Sequence, residues 1–353
     1  MNPLDPPEPI ADSAVELPSG TDAYPSLVDR AIVLTGPTAS GKSRVAVELA
    51  ERIDGEILSL DSIAVYQGMD IGTAKPTPAD QSRVPHHLID LVPPNQEFSV
   101  ACYLRSAHAK VAELESRGKP VIIVGGTPMF LKAVLRGFDP GPPADWEFRR
   151  AVEADVQQFG SNALHTRLRQ VDPLAAHRIG PHDTRRMTRA LEVARQTGVP
   201  LSHQQTQFDR ARPADQCSVF AMKWDRSLLH QRINQRVDQM FADGLVVEIR
   251  GLIARYVTLS RTASQAVGYR EVIPHVTAFA DQDDSPEAGK SLATAREQVA
   301  THTRQLAKRQ ETWMRSFSEI TPIDADGDID PKAVAAQIAS RIRRSGDQPF
   351  KRP

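Results

Sequence analysis

An apolar run, a glycine-rich segment and a helical pattern follow one another directly near the start of this chain, and they constrain its fold most strongly. Residues 31–34 read AIVL, which is typical of a buried strand, and residues 36–43 read GPTASGKS, which fits G-x-x-x-x-G-K-[ST]. Apolar residues then recur at helical spacing from Val45 to Ile53. This order is the context of a P-loop, whose backbone N–H groups and helix N-terminus attract a phosphate.

Every position of this loop is a candidate for contact with a diphosphate or a triphosphate. Lys42 would reach the terminal phosphates, and Ser43 would offer its hydroxyl to Mg²⁺. The loop alone does not distinguish the two ligands. It predicts an α/β fold in which a P-loop NTPase-like parallel sheet is flanked by helices. The candidate residues are Gly36, Pro37, Thr38, Ala39, Ser40, Gly41, Lys42 and Ser43.

Length and composition leave room for more than one domain and exclude several classes of protein. With 353 residues the chain can hold an α/β domain and an insertion or second domain. It carries 43 lysines and arginines against 44 aspartates and glutamates, so any basic surface must be local. Cys102 and Cys217 match no metal spacing and are expected to be buried, reduced thiols in a cytoplasmic protein. No apolar run reaches the length of a membrane span.

Changes in the pattern divide the chain into four predicted parts. Residues 1–28 are rich in proline and acidic residues and are expected to be a disordered leader. Strands and helices alternate over 29–140 and again over 216–325, which indicates the P-loop core with a basic helix at its end. Residues 141–215 carry helical patterns and are predicted to be an inserted all-helical domain. Residues 326–353 are expected to form a helix that frays into a tail.

Two further predicted strands end in polar residues beside the loop. Glu56–Leu60 is followed by Asp61, and Pro120–Val124 is followed by two glycines and Thr127. Because ligands bind outside the carboxyl ends of strands in such sheets, both side chains should lie near the P-loop. Asp61 is a candidate general base, a Mg²⁺ ligand through water, or a helix N-cap. Thr127 would bind a phosphate oxygen or cap the next helix.

Arginines occur in two predicted helices in arrangements that suit an anion. In the helix over Arg226–Ala242, Arg232 and Arg236 lie on one face, where they can hold a diphosphate or pair with acids of neighbouring helices. The helix over Asp183–Thr197 has arginines in its first two turns, where cations oppose the helix dipole. This small cost favours an anionic partner over a merely solvated charged face.

A second basic helix is predicted from Leu292 to Phe317, after an exposed acidic loop over Asp281–Gly289. Trp313 in this helix would stack on a base or, as is commoner for a single tryptophan, anchor the helix in the core. The adjacent His86 and His87 lack a third ligand at suitable spacing, so structural or phosphate-contacting roles are favoured over a metal site.

Eight blocks of sequence in a fixed order resemble the tRNA dimethylallyltransferases, also called tRNA isopentenyltransferases. They cover about residues 31 to 317, and their combination is far more specific than any one of them. The chain is similar to the bacterial members, because no Cys/His zinc module follows residue 317. The blocks are GPTASGKS, LDSIAVYQGMDIGTAKP, PHHLID, VIIVGGTPMF, DTRRMTRALEV, HQRINQRVDQM, QAVGYRE and TRQLAKRQETWMR.

The resemblance implies transfer of a dimethylallyl group from dimethylallyl diphosphate to N6 of adenosine 37 in the anticodon loop of tRNA. The P-loop would then hold the diphosphate of the prenyl donor, with Mg²⁺ bound through Ser43. Asp61 would be the general base, Thr127 would lie near the bridging oxygen of the diphosphate, and Arg236 would contact it. The enzyme is expected to be a cytoplasmic monomer. The implied tRNA contacts are Ser62, Ile63, Ala64, Arg185, Arg186, Met187, Thr188, Arg189, Gln265, Gly268, Tyr269, Arg270, Arg304, Lys308 and Arg309.

Three other functions are compatible with parts of the pattern. A P-loop small-molecule kinase explains the loop but leaves the two basic helices unused. A dimethylallyltransferase acting on free adenine nucleotides would share the active-site residues but needs no RNA-binding surface. An RNA-binding ATPase that does not modify RNA would turn over ATP when stimulated by RNA, and it would tolerate Asp61→Ala.

Overall fold

The computed structural model describes residues 23–204, 208, 211–279, 285–325, 327 and 329–345, with side chains as far as residue 342. Most of the predicted leader, residues 281–284 of the predicted acidic loop and the tail after residue 345 lie outside these ranges. Leu27 and Val28 are buried, and the Leu27 N–H donates to the Val134 carbonyl at 2.8 Å. The core therefore begins before the predicted leader boundary at residue 28.

Parallel strands form a single six-stranded sheet within the described residues, in the order β3-β2-β4-β1-β5-β6. Every residue of β1 and β4 is buried, as expected for central strands of a parallel sheet. The predicted α/β fold with a parallel sheet is confirmed. The strands are β1 Ile32–Thr35, β2 Glu56–Leu60, β3 His86–His87, β4 Val121–Gly125, β5 Val219–Trp224 and β6 Thr321–Ala325.

Helices follow most strands and also build a separate unit. They are α1 Lys42–Ile53, α2 Pro78–Arg83, α3 Val100–Ser116, α4 Pro128–Arg136, α5 Trp146–Phe159, α6 Ser161–Val171, α7 Pro173–Arg178, α8 Thr184–Thr197, α9 Leu201–Gln204, α10 Arg226–Ala242, α11 Leu245–Tyr256, α12 Arg261–Ser264, α13 Tyr269–Ala278, α14 Pro286–Met314 and α15 Pro331–Ser345. None of them is long and apolar enough to cross a membrane.

The chain divides into two compact units. The helical unit comprises the described residues of 1–24 and 139–205 and contains α5 to α9, whereas the sheet unit comprises those of 25–138 and 206–353. The helical unit is therefore shorter than the predicted insertion over 141–215. The segment before β5 is tied to the sheet unit, because Arg136 donates to the Phe208 carbonyl at 2.8 Å and Arg212 pairs with Asp29 at 2.6 Å.

The helix α14 starts earlier than the sequence pattern predicted. Ser285 is its N-cap and accepts a hydrogen bond from the Ala288 N–H at 3.1 Å, and Pro286 occupies the first turn, where proline is well tolerated. Residues 286–289 are thus helical, which corrects the predicted loop over Asp281–Gly289 at its carboxyl end. The acidic residues that suggested a loop are compatible with this helix, since Glu287 lies at its positively polarised N-terminus.

The last helix covers the P-loop helix. Its residues Ala335, Ile338 and Ala339 are buried in the same hydrophobic core as Val45 and Leu49 of α1, against which α15 packs. The described part of the predicted fraying tail is therefore an integral part of the core. Because α1 begins at the P-loop, this packing helps to fix the loop's position.

Candidate active site

Three chain segments predicted from sequence meet at the carboxyl edge of the sheet. The loop 36–43 follows β1, Asp61 follows β2, and Thr127 follows β4. The strands β2, β4 and β1 are direct neighbours and run parallel, so the three segments emerge side by side. Arg236 of α10 joins them through its electrostatic interaction with Asp61. The edge therefore combines an anion-binding loop, a carboxylate, a hydroxyl and a guanidinium.

One carboxylate oxygen of Asp61 is hydrogen-bonded to the turn that follows it, and the other is available to accept a proton. Its Oδ1 accepts hydrogen bonds from the N–H groups of Ile63 at 2.8 Å and Ala64 at 3.3 Å. Within the described ranges, its Oδ2 accepts none. No helix begins directly after Asp61 in the described part of the chain, so the helix N-cap interpretation is wrong. One oxygen caps a turn instead, while the other remains available to act as a general base. Ile63 and Ala64, two of the residues expected to contact tRNA, orient this carboxylate through their backbones.

Thr127 is linked to Asp61 through one residue. Its Oγ1 accepts a hydrogen bond from the Ser62 N–H at 3.1 Å and donates to the Ser62 hydroxyl at 3.5 Å. Thr127 stands at the N-cap position of α4 but makes no side-chain cap. The capping interpretation of its side chain is therefore not supported, and its hydroxyl belongs to the carboxyl edge of the sheet.

Two cations face Asp61 from different helices. Burial and, to a lesser extent, repulsion by Arg236 together lower the pKa of Lys42 to about 8, while Asp61 acts in the opposite direction. Burial also lowers the pKa of Arg236, and Asp61 again opposes that shift. Cations that burial destabilises gain by pairing with an anion, because the anion restores the stabilisation that water no longer supplies. The site thus has an excess of positive charge beside a single carboxylate.

A magnesium ion would find few protein ligands here. Ser43 lies in the first turn of α1 and is exposed, so its hydroxyl is accessible to a cation held on the P-loop. No group of three or more His, Cys, Asp or Glu residues in the described residues could hold a metal. This donor set fits Mg²⁺, which is commonly bound through one or two protein oxygens together with substrate phosphates and water.

Arg232 stabilises the P-loop through a hydrogen bond to its backbone. Its Nε donates to the Ala39 carbonyl at 2.9 Å, and its guanidinium lies 4.5 Å from the ring centroid of Trp224. The indole Nε1 of Trp224 donates to the neighbouring Ser40 carbonyl at 3.0 Å. Two successive carbonyls of the loop are therefore fixed by one cation–π pair. Arg232 was predicted to bind diphosphate together with Arg236; in the structure its Nε is committed to the loop itself.

In the helical unit, the arginines expected to contact tRNA have different surroundings. Arg185 and Arg186 are exposed on the first turn of α8. Arg189, one turn further, donates to Glu192 at 2.6 Å and to the carbonyls of Pro140 and Pro142 at 2.9 and 2.8 Å.

Glu192 is buried, and the hydrogen bonds that it accepts lower its pKa by more than burial raises it. Burial acts to raise the pKa of this carboxyl, but hydrogen bonds from Arg149 and Arg189 hold it below its ordinary value. Met187 is fully buried in the core of this unit, and the Thr188 hydroxyl donates to the Thr184 carbonyl. Arg185 and Arg186 are therefore the exposed cations of the predicted set in this unit.

The segment 265–270 presents few free side chains. Gln265 is exposed, Gly268 is buried, and Tyr269 is fully buried in the core. Arg270 is paired with Glu271 through contacts of 2.6 and 2.9 Å. Of the residues expected here to contact tRNA, only Gln265 and the exposed portion of Arg270 are accessible, while Tyr269 supports the fold.

On α14, two of the three predicted contact residues are exposed. Lys308 and Arg309 are exposed, whereas Arg304 donates to Asn234 of α10 at 2.7 Å. Trp313 is half-buried, with its ring centroid 6.2 Å from that of Phe317. The helix thus combines a packed face with an exposed cationic face.

Two residues important for the site were not identified from the sequence. Gln310 of α14 is buried and bonds to the P-loop, and Glu248 of α11 bonds to the loop over residues 70–72. A signal for Gln310 does exist, because it falls on the helix stripe formed by Thr303, Ala307 and Met314. A polar side chain on an otherwise buried helix face needs a hydrogen-bond partner, so this pattern alone identifies Gln310 as a residue with a specific contact.

Comparison with known proteins places this geometry in a family. The model of the family described as IPP transferase matches residues 64–317. The tRNA dimethylallyltransferase of Rhodopirellula baltica is 57% identical over 320 residues, which cover 87% of this chain and 93% of that protein. The crystal structure of the tRNA isopentenylpyrophosphate transferase from Bacillus halodurans superposes with a TM-score of 0.60 at 35% identity, covering 89% of this chain and 96% of that one. A eukaryotic dimethylallyltransferase acting on tRNA shares the fold, with a TM-score of 0.71 at 24% identity over 91% of this chain and 81% of that one.

Proposed function

Because this chain belongs to the IPP transferase family, we propose that it transfers a dimethylallyl group from dimethylallyl diphosphate to N6 of adenosine 37 in tRNA. One observation carries the proposal at the level of chemistry. Asp61, with one oxygen available, lies at the mouth of a P-loop and interacts electrostatically with both Lys42 and Arg236. This proximity of a carboxylate to an anion-binding loop supports the proposal, because transfer from a diphosphate to an amine requires a base and a site for the leaving anion.

The reaction forms a bond between N6 of adenine and C1 of the prenyl group, and it breaks the bond between C1 and the diphosphate oxygen. Negative charge accumulates on the departing diphosphate. The N–H groups at the start of α1, Lys42 and Arg236 stabilise this charge in a partly dehydrated site. Asp61 accepts the proton that N6 loses, through the oxygen that does not cap the turn.

Magnesium is part of the proposal. Ser43 would hold it through its hydroxyl, and the diphosphate and water would complete its coordination. When bound, Mg²⁺ offsets charge on the diphosphate. Thr127, whose hydroxyl accepts a hydrogen bond from the N–H of Ser62, the residue after Asp61, would donate to an oxygen of the leaving group.

The tRNA is proposed to bind through its phosphates to exposed cations and through one base to the site. An exocyclic amine in a stacked loop is out of reach, so adenosine 37 must be extruded toward Asp61. Arg185 and Arg186 of α8, and Lys308 and Arg309 of α14, are exposed cations suited to sequence-independent phosphate contacts. We expect the protein to act as a monomer in the cytoplasm.

The test is an incubation of the purified protein with unmodified tRNA, Mg²⁺ and dimethylallyl diphosphate, followed by mass analysis of the nucleosides. Parallel reactions contain AMP or ATP in place of tRNA. We expect prenylated adenosine in tRNA alone, at a single position. Asp61→Asn serves as the matched control, since asparagine retains an oxygen to cap the turn but cannot accept the proton.

Other outcomes would assign the site differently. Prenylation of free AMP would indicate a nucleotide-specific transferase. Consumption of ATP without prenyl transfer would return the P-loop to a kinase or an ATPase, and the proposal would be wrong.

A further inference from the structure

Gln310 bridges two loops of the active site with a single side-chain amide. Its Oε1 accepts a hydrogen bond from the Thr38 N–H in the P-loop at 2.9 Å. Its Nε2 donates to the Gly126 carbonyl, just before Thr127, at 2.9 Å. The partners fix the orientation of the amide, because one is a backbone donor and the other a backbone acceptor. Gln310 is only 7% exposed, so water does not readily replace either bond.

The P-loop, the turn at Gly126 and the end of α14 pack closely against one another. A Cβ atom at Gly126 would lie 2.7 Å from the Gln310 Nε2 and 2.8 Å from the Gly36 carbonyl oxygen. One turn further along α14, the Met314 sulfur lies 3.7 Å from the Thr35 hydroxyl at the end of β1. The carboxyl-terminal turns of α14 are therefore docked on both β1 and the start of the P-loop.

We propose that Gln310 is a positioning residue that sets the separation between the P-loop and the turn that carries Thr127. In the proposed function both the P-loop and Thr127 contact the diphosphate, and the amide of Gln310 joins the two segments. The proposal rests on the proposed function in taking the bound anion to be the diphosphate of the prenyl donor. Gln310 touches neither substrate nor the reacting atoms; it acts through Thr38 and Gly126.

Because of the bond to Thr38, the backbone N–H groups of the P-loop have different roles: one bonds to the protein, and others can bind an anion. The Thr38 N–H is committed to Gln310, whereas the N–H groups at the start of α1 have no carbonyl one turn earlier to accept them. The anion is accordingly held by the start of α1, and the front of the loop is held by the protein. Loss of Gln310 would free the front of the loop and weaken the whole cradle.

The test compares Gln310→Leu with Gln298→Leu, an exposed glutamine on the same helix. Three quantities are measured: the affinity for inorganic diphosphate, the KM and kcat for dimethylallyl diphosphate, and hydrogen exchange of the peptide covering residues 36–41. For Gln310→Leu we expect about a tenfold weaker diphosphate affinity, corresponding to one buried hydrogen-bonded link, and faster exchange in that peptide. Gln298→Leu should match the wild type, and tRNA affinity should be unchanged in both.

A second variant separates positioning from simple loss of packing. In Gln310→Glu the ionised carboxylate keeps an acceptor for Thr38 but has no donor for Gly126. Once protonated, it presents the same donor and acceptor as glutamine. Diphosphate affinity of Gln310→Glu relative to the wild type should therefore recover as the pH falls from 8 toward 5. A structural defect alone would not show this recovery.

The outcomes distinguish this proposal from the proposed function. Diphosphate affinity and hydrogen exchange do not require transfer, so they test Gln310 even if the wild type fails to modify tRNA. If Gln310→Leu does not fold, the pH profile of Gln310→Glu carries the test. Unchanged diphosphate affinity and exchange in Gln310→Leu, or a flat relative pH profile in Gln310→Glu, would overturn the proposal.

Discussion

The phenol of Tyr269 on α13 donates a hydrogen bond of 2.7 Å to the carboxylate of Glu248 on α11. The same carboxylate accepts bonds from the N–H groups of Asp70, Ile71 and Gly72 at 2.8, 2.7 and 3.3 Å. A Cβ at Gly72 would lie 2.4 Å from the Tyr269 ring, so the loop sits directly on it. Burial and the adjacent Glu248 raise the pKa of Tyr269, which keeps the phenol protonated as a donor.

Replacing Glu248 with alanine should release this loop. Three backbone N–H groups and a buried phenol would lose their acceptor, so we expect the free energy of unfolding to fall by about 2–3 kcal/mol in urea denaturation. Transfer should slow as well, since the Thr73 carbonyl in the same loop accepts a hydrogen bond from Arg236. Tyr269→Phe removes one of the four bonds and should cost about 1 kcal/mol. Equal losses in the two variants would contradict the shared-acceptor arrangement.

Diphosphate binding should weaken at alkaline pH because of Lys42. Burial lowers its pKa to about 8, so in the free protein the ammonium loses its proton as the pH rises through that value. Above this pH, binding of the anion must recapture a proton, and the affinity can fall by up to about tenfold per pH unit. Calorimetric titration with inorganic diphosphate between pH 7 and 9 measures the effect. Lys42→Met supplies the baseline for the ligand's own titration, and an identical profile in that variant would exclude Lys42 as the cause.

Asp61→Asn should abolish most of the transfer while leaving tRNA binding intact. Asparagine keeps an oxygen for the Ile63 and Ala64 N–H groups, so the turn is preserved. Loss of a general base typically costs about 10²–10⁴-fold in rate. Single-turnover assays at saturating tRNA measure the chemical step, and filter binding measures the tRNA affinity. A near-normal rate would mean that another group accepts the proton.

Substitution of Arg186 should affect RNA binding, whereas substitution of Arg189 should affect stability. Arg189→Ala leaves buried Glu192 with one arginine fewer, and we expect unfolding to become easier by about 2–4 kcal/mol. Arg186 is exposed, and its one ion pair among the described residues is with Asp183 at 3.3 Å, so Arg186→Ala should leave the melting temperature unchanged. It should instead weaken tRNA binding and reduce the slope of affinity against salt by about one. The reverse pattern would show that Arg189 is the RNA contact.

Much of the fold and the heart of the site could be predicted from the sequence. Lys42 lies in a loop whose strand, turn and helix are all encoded within about 20 consecutive residues. Asp61 and Thr127 could be placed beside it because each ends an apolar strand, and parallel strands deliver their carboxyl ends to one edge. The start of α14 was harder, since a run of acidic residues suits an exposed loop and a helix N-terminus equally well.

The roles of several candidates depended on long-range packing. Arg232 and Arg236 are equivalent in spacing, yet Arg232 is drawn to the Ala39 carbonyl and to the Trp224 ring. Tyr269 lies in a motif associated with tRNA contact, yet it is buried against Glu248. A local pattern records which face of an element is apolar, but not which neighbour meets a given polar side chain.

The sequence by itself determined the parallel α/β core and the P-loop, and it identified Asp61, Lys42 and Arg236 as the candidate base and cations, because these inferences depend on short-range periodicity and on the direction of parallel strands. Only the tertiary structure decided which side chains hold that machinery in place. Gln310 and Thr38 are 272 residues apart in the chain, and their hydrogen bond exists because α14 packs its buried face on the end of β1. A contact of that range is a product of the whole fold: the helical stripe marks Gln310 as buried, but no local spacing identifies its partner.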